Sequence, residues 1–285
     1  GTNQEKKNRP TSDAVYTPSR FISLANTLGE VPVATAALGP VAGLPASRLV
    51  ASHFSVMTES SLVLIAGPKV VKRALNIDVT KEALGGPEVH LKSGVINNLA
   101  KTEDDAFEQI KTFLSFVPDN AWTFPDSIST DDKEDRCDDL LIDIIPKDRR
   151  RPYSVRKIIT SILDINDDQS TFFEIGKKYG PSLVTGLGRL NGQSVGVIAN
   201  DCMFYAGAMT TSASKKLERF SDFCNSFHIP IISLVDEPGF MIGPESEKSG
   251  TIRFGTAAIT TRGVDSSEII KVVEFIDEAI QNYQD

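Results

Sequence analysis

The sequence predicts an α/β fold of strand–strand–helix units arranged as two related lobes. Three observations carry this. First, Ile229-Pro230-Ile231-Ile232-Ser233-Leu234 reads as a buried strand and runs into Val235-Asp236-Glu237-Pro238-Gly239-Phe240-Met241-Ile242-Gly243. A strand that breaks at Pro-Gly exposes backbone N–H groups at its C-terminal end, where α/β folds bind ligands. Second, strand-like runs at 183–190 and 193–199 flank Asn191-Gly192, the strongest short hairpin signal. A helical stripe of Leu217, Phe220, Cys224 and Phe227 follows, capped by Ser212, and then the strand 231–236. Third, the first half shows the same cadence less clearly, from residue 31 to residue 75.

The elements follow in order. Residues 1–20 are polar and predict a loop; 21–28 has helical spacing, with Gly29 as a stop. The apolar run 31–38 ends at Gly39-Pro40 and fits a buried strand. Residues 43–50 turn into a helix, 55–58 and 62–66 read as strands, and Gly67-Pro68 opens a helix to Leu75. Thr102 caps a helix with the stripe Ala106, Ile110, Phe113, Leu114 and Val117. Asp105 stands in for the capping-box Glu, and Pro118 ends the helix. Residues 119–152 crowd Asp126, Asp131, Asp132, Glu134, Asp135, Asp138 and Asp139 ahead of a basic cluster at 147–151, which reads as a solvated linker. Beyond it, 155–163 is helical. Asp265-Ser266-Ser267-Glu268 resembles a capping box before Ile269, Val272, Val273, Ile276, Ile280 and Tyr283, one face of a docking helix. The expected organisation is a partial N-lobe at 1–118, an acidic linker at 119–152, and a C-lobe with a terminal helix at 153–285.

Composition narrows the function. The 285 residues are 40 % hydrophobic and 24 % charged, ordinary for a soluble globular protein. A net charge of −8 gives no electrostatic footprint for nucleic acid. No apolar run approaches the ~18 residues of a membrane span. Three widely spaced cysteines, Cys137, Cys202 and Cys224, fit a reducing compartment, bacterial cytoplasm or mitochondrial matrix, better than a disulfide framework. The N-terminus reads as neither signal nor transit peptide, and as the middle of something longer. No metal site is expected.

Two regions carry candidate chemistry. Gly39-Pro40-Val41-Ala42-Gly43-Leu44-Pro45-Ala46 is a glycine turn leading into a helix. Such a turn aims free N–H groups at one point, and the helix dipole favours negative charge there. A thioester that loses its α-proton places charge on its carbonyl oxygen, which fixed backbone donors stabilise. The second region is the Pro-Gly turn at 238–239.

Longer strings extend both. They are Gly67-Pro68-Lys69-Val70-Val71-Lys72, Gly85-Gly86-Pro87-Glu88-Val89-His90 and Ser93-Gly94-Val95 in the first half. In the second they are Pro146-Lys147-Asp148, Pro152-Tyr153-Ser154-Val155-Arg156-Lys157, Asp164, Phe172-Phe173-Glu174, Val184-Thr185-Gly186-Leu187-Gly188-Arg189 and Val195-Gly196-Val197-Ile198-Ala199-Asn200. Lys215, Phe220, Phe223-Cys224 and Ile229-Pro230 continue the set, and Glu247, Gly250, Ile252, Arg253 and Gly255 follow the Pro-Gly turn. In order and spacing, over roughly residues 16–258, these resemble the biotin-dependent acyl-CoA carboxyltransferase family, of the propionyl-CoA and methylcrotonyl-CoA carboxylase β-subunit type.

The resemblance implies a crotonase-like spiral of ββα units. It implies transfer of a carboxyl group from carboxybiotin to the α-carbon of propionyl-, acetyl- or methylcrotonyl-CoA, without a protein base. Biotin is then expected on a partner, a biotin carrier or biotin carboxylase subunit. Each site is expected across two subunits, of a homo-oligomer or with a longer homologue. By the family's G-x-x-A-G-G, Gly43 and Leu44 are the acyl oxyanion donors. Gly39, Gly85, Gly86 and His90 fall on the acyl-CoA side, with His90 expected to be structural or to shape the pocket. Pro238, Gly239, Phe240 and Gly243 line the biotin side.

Three departures stand out. Leu44 replaces the second glycine, and Asp201-Cys202-Met203 replaces the usual Gln-Pro after Asn200. Nothing resembles the family's A-Y-G-G-A-Y turn, whose amides hold the biotin-side oxyanion. Residues 256–261 instead pass to the terminal helix. The expectation is an incomplete chain or a lost catalytic element, inactive alone. A biotin-dependent decarboxylase subunit and a degenerate, oligomer-building subunit are the alternatives.

Overall fold

A computed structural model of the chain describes residues 20–243, apart from 134, 149, 167 and 168. The loop expected at the N-terminus, the docking helix, and Glu247, Gly250, Ile252, Arg253 and Gly255 lie outside the described residues.

Helix α1 (Arg20–Glu30) runs through Gly29 and closes when Val31 N–H donates to Thr27 O at 3.0 Å. The run read as a strand, 31–38, holds one strand, and a second that the sequence reading did not anticipate follows it at 40–42. β1 (Ala34–Ala37) and β2 (Pro40–Ala42) lie in different sheets, because Gly39-Pro40 redirects the chain between them. Helix α2 (Leu44–Ala51) leads to β3 (Phe54–Thr58), parallel to β1, and then to β4 (Leu62–Leu64), parallel to β2. Helix α3 (Pro68–Leu75) opens on proline, as Gly67-Pro68 predicts, and stops at Asn76 with φ 56°. Three further short elements of the first half escape the sequence reading: α4 (Lys81–Gly85), α5 (Pro87–Ser93) and β5 (Asn98–Ala100), which joins β3. Helix α6 (Glu103–Ser115) has the expected cap. Thr102 Oγ1 accepts from Asp105 N–H at 3.1 Å, and the Asp105 carboxylate accepts from Lys101 N–H at 2.8 Å. Ala106 and Phe113 are buried, but Leu114 is 41 % exposed, because it points about 100° around the helix from Phe113.

The acidic stretch is at the surface but is no free linker. It contains α7 (Leu140–Asp143), and Arg136 pairs with Asp132 at 2.6 Å while donating to Ser161 O and Leu163 O, both at 2.9 Å. Asp132 also accepts from Ile165 N–H at 3.1 Å. These bonds pin it to the end of α8 (Val155–Ile162), while Asp131, Asp135 and Asp139 stay exposed.

The second half then forms β6 (Ile165–Asn166), β7 (Gln169–Ser170), β8 (Phe173–Glu174), β9 (Leu183–Leu190), β10 (Gln193–Asn200), α9 (Thr211–Ser226) and β11 (Ile231–Leu234). The sheet order is β11-β10-β9-β8, with β9 and β10 antiparallel and β10 and β11 parallel. The hairpin turn has both residues at positive φ, Asn191 at 51° and Gly192 at 76°, as a tight Asn-Gly turn requires. Buried Asp164 accepts both of their amides, at 2.8 and 2.7 Å. The cap of α9 is Thr210, not Ser212: Thr210 Oγ1 accepts from Ala213 N–H at 3.2 Å, two residues earlier than the sequence suggests. The strand expected to be buried, β11, is an edge strand among the described residues, and Ile231 is 41 % exposed.

The largest core cluster joins the two halves. Phe54, Val56 and Phe113 pack with Leu183, Leu187, Ile198, Phe220, Phe223 and Phe227. Smaller clusters sit under β2–β4, around Met57 and Val63, and under α8, around Ile159 and Val184. No helix among the described residues is long and apolar enough to cross a membrane.

His53 touches the joining core, edge-on to Phe227 at 5.0 Å, and its Nδ1 accepts from Val33 N–H at 3.0 Å. Burial, and then the Arg219 charge, push its pKa down to about 4. The unfolded chain binds that proton near ~6.5. Between the two values the unfolded state carries more protons, so stability falls as pH drops from about 6.5 towards 4. Urea unfolding at pH 5 and 7 should show this, on the order of 1–2 kcal/mol after allowing for the ring's partial exposure to solvent. His53→Gln should flatten that window.

Candidate active site

The first group of candidate residues gathers on β4. Leu62 N–H donates to Gly39 O at 3.4 Å, and Gly43 N–H donates to Leu64 O at 3.2 Å. Gly43 adopts φ 67°, ψ −134°, a conformation open to glycine. Its amide therefore extends the β2–β4 ladder and is not a free donor, which corrects the paired-amide expectation on the Gly43 side. Its carbonyl accepts from Ser47 N–H at 3.2 Å, closing the first turn of α2. Leu44 is the first residue of that helix, and its N–H has no acceptor among the described residues. Pro45 brings no N–H at all. The Leu44 side chain is 39 % exposed.

Gly85 and Gly86 form the joint between α4 and α5. A Cβ at Gly85 would collide with Val63 O and the Leu64 side chain, so glycine lets the joint close on β4. His90 on α5 places Nε2 at 2.6 Å from Val63 O. A carbonyl only accepts, so Nε2 carries the proton, and Nδ1 is buried without a partner among the described residues. His90 thus ties α5 to β4, in keeping with a structural role.

The second group surrounds Met209. Met209 N–H donates to Gly239 O at 3.0 Å and Met241 N–H donates to Met209 O at 2.9 Å, a short parallel bridge. Gly239 and Gly243 have φ of 123° and 138°, and no described residue lies within 4 Å of a Cβ added at either. Phe240 is 46 % exposed. The turn is held from behind by residues the motifs contain but to which no role was assigned. Buried Asn200 accepts from Asp236 N–H at 3.3 Å and donates to Gly207 O at 3.2 Å. Tyr153 donates its hydroxyl to the Asp236 carboxylate at 2.7 Å. Burial, and then this bond, raise the Tyr153 pKa. Behind Asn200, Arg156 forks onto Glu174 at 2.6 to 3.0 Å and bonds the carboxylate of Asp201. No signal short of the fold says that Asp201 faces Arg156.

The structure brings Gly39, Gly43, Leu44, Gly85, Gly86 and His90 into one neighbourhood, and Pro238, Gly239, Phe240 and Gly243 into another. No hydrogen bond or ion pair among the described residues joins the two groups.

Residues 19–263 match the family model described as the carboxyl transferase domain. The chain is 37 % identical over 229 residues to the propionyl-CoA carboxylase carboxyltransferase subunit of Haloferax mediterranei, covering 80 % of this chain and 44 % of that protein. It is 35 % identical over 237 residues to the methylmalonyl-CoA decarboxylase subunit alpha of Veillonella parvula, covering 82 % and 46 %. The crystal structure of the transcarboxylase 12S hexamer, with hydrolysed methylmalonyl-CoA bound, superposes with a TM-score of 0.76 at 35 % identity, covering 81 % of this chain and 45 % of that one. The chain spans less than half the length of these relatives.

Proposed function

Because this chain belongs to the carboxyl transferase family, with its crotonase-like fold, we propose that it carries carboxyl transfer onto the α-carbon of a short acyl-CoA such as propionyl-CoA. The observation that supports this best is the Leu44 amide. Among the described residues it has no acceptor at the head of α2, and it stands beside a glycine whose positive φ opens the approach. A thioester oxygen placed there would meet a fixed donor and the positive end of the helix dipole as enolate charge develops. The β4 ladder, the Gly85-Gly86 joint and His90 hold that turn rigid, so little reorganisation accompanies the charge.

Carboxybiotin, carried on a partner protein, would supply the carboxyl group. The Met209-docked turn fits it: no other described residue crowds Gly239 or Gly243, and exposed Phe240 offers an apolar face beside them. Asn200 and Tyr153 keep this turn in place. The separation of the two groups within one chain supports a site shared between subunits, built with a second copy or a longer homologous subunit together with a biotin carrier.

The test is transfer of labelled carboxyl from carboxybiotin to propionyl-, acetyl- and methylcrotonyl-CoA, by the chain alone and mixed with a carrier and a longer homologue. The expected result is label in the acyl-CoA only in the mixture. Carbon dioxide release from methylmalonyl-CoA, without forward transfer, would support the decarboxylase reading. Co-sedimentation with the homologue without either reaction would replace the proposal with a degenerate, assembly-building subunit.

A further inference from the structure

Where the two halves meet, a cavity of about 50 Å³ is lined by Lys216, Arg219, Asn97, Tyr179 and Thr185, together with apolar side chains such as Ile175. The motif set points to Lys215, yet Lys215 is on the outer face of α9 and Lys216 is the buried one, 6 % exposed. Lys216 Nζ donates to Leu183 O at 2.7 Å, its single acceptor among the described residues. No carboxylate lies within ion-pair distance of it among those residues. Its nearest acids, Glu174 and Asp201, are already committed to Arg156. Arg219, which also lines the cavity, is met among the described residues by carbonyls only, Ser52 O at 2.9 Å and Gly94 O at 3.4 Å. Asn97 spends its oxygen on Ser55, at 2.9 and 3.1 Å, leaving its amide donor without an acceptor among the described residues.

The balance of charge and donors is therefore one-sided. Among the described residues no Asp or Glu lines this space, while a buried ammonium, an amide and a guanidinium border it. A buried charge is costly unless paired. Burial pushes the Lys216 pKa down to about 8, with Glu174 and Asp201 offsetting only part of the shift. The volume holds one small ion or a few waters.

We propose that this cavity is a binding site for a small monovalent inorganic anion of the chloride type, held by Lys216 and Asn97 and locking the two halves together. An anion there meets an ammonium in a low-dielectric setting, where charge-assisted bonds are strongest. The inference is independent of the carboxyl-transfer reading.

The test uses the whole chain. Its melting temperature is compared in sodium gluconate, chloride and bromide at equal ionic strength, since gluconate is too large for the cavity. Chloride and bromide should raise it by about 2–4 °C over gluconate. Lys216→Met, close in length and uncharged, should remove that difference. Crystals grown in bromide provide a readout that needs no variant, with an anomalous peak expected beside Lys216 Nζ. Equal melting temperatures in the three salts, an unchanged halide response in K216M, or water alone beside Nζ would each overturn the proposal.

Discussion

Leu44→Pro is expected to lower carboxyl transfer by about 10²–10³-fold in the assembled enzyme while leaving the fold in place. The substitution removes the N–H together with the isobutyl side chain, and Leu44→Gly, which removes the side chain alone, separates the two effects. Leu44 is the first residue of α2, the helical position that proline tolerates best, because that amide has no partner within the helix. Gly43 already holds the mirror image of an extended conformation, which a following proline accepts. Leu44→Gly keeps the N–H and widens the approach, so transfer should not fall and should rise if the side chain crowds the thioester. The measurement is the rate of labelled carboxyl transfer to propionyl-CoA, with the urea midpoint as a check on folding. Full activity in the proline variant would show that the donor lies elsewhere. Loss of activity in the glycine variant would make the Leu44 side chain part of the pocket.

Arg156→Met is expected to cost about 3–5 kcal/mol of stability, the range for breaking a buried ion pair from one side. The guanidinium serves two carboxylates, Glu174 and Asp201, and the Asp201 side chain is only 1 % exposed. Without Arg156 both must be protonated or rehydrated. Against a typical total of 5–15 kcal/mol this is a large fraction, visible as a drop in the urea midpoint. The effect should reach the site, because Asp201 follows Asn200, which holds Asp236 and Gly207. Adding Glu174→Gln and Asp201→Asn to Arg156→Met removes the stranded charges and should recover part of the loss. A single variant as stable as the parent would mean that solvent reaches the carboxylates freely.

Much of the local structure was legible in the sequence because it obeys short-range rules. Asn191-Gly192 made its hairpin since few residue pairs take positive φ twice in succession. Thr102 capped α6 through one hydroxyl and one amide three residues apart. The motif strings marked the family, and residues 19–263 match its model. The misses fall where an element is too short to show a period, as in α4, α5 and β5, or where a second segment competes for the same group. At the start of α9 the sequence pointed to Ser212, and Thr210 accepts the Ala213 amide instead.

By itself, then, the sequence determined the α/β class, most strand and helix positions, and the family, because backbone preference and side-chain period are written within a few neighbouring residues. Only the tertiary structure decided which groups are free to act. It spent the Gly43 amide on Leu64 and gave that of Leu44 no acceptor among the described residues, because strand register joins residues about twenty positions apart. It buried Lys216 and exposed Lys215, because a step of one residue turns a helix through about 100°. It also bound Asp132 and Arg136 to the end of α8, where composition alone predicted a solvated chain, because a carboxylate and a guanidinium can satisfy backbone groups that are distant in sequence.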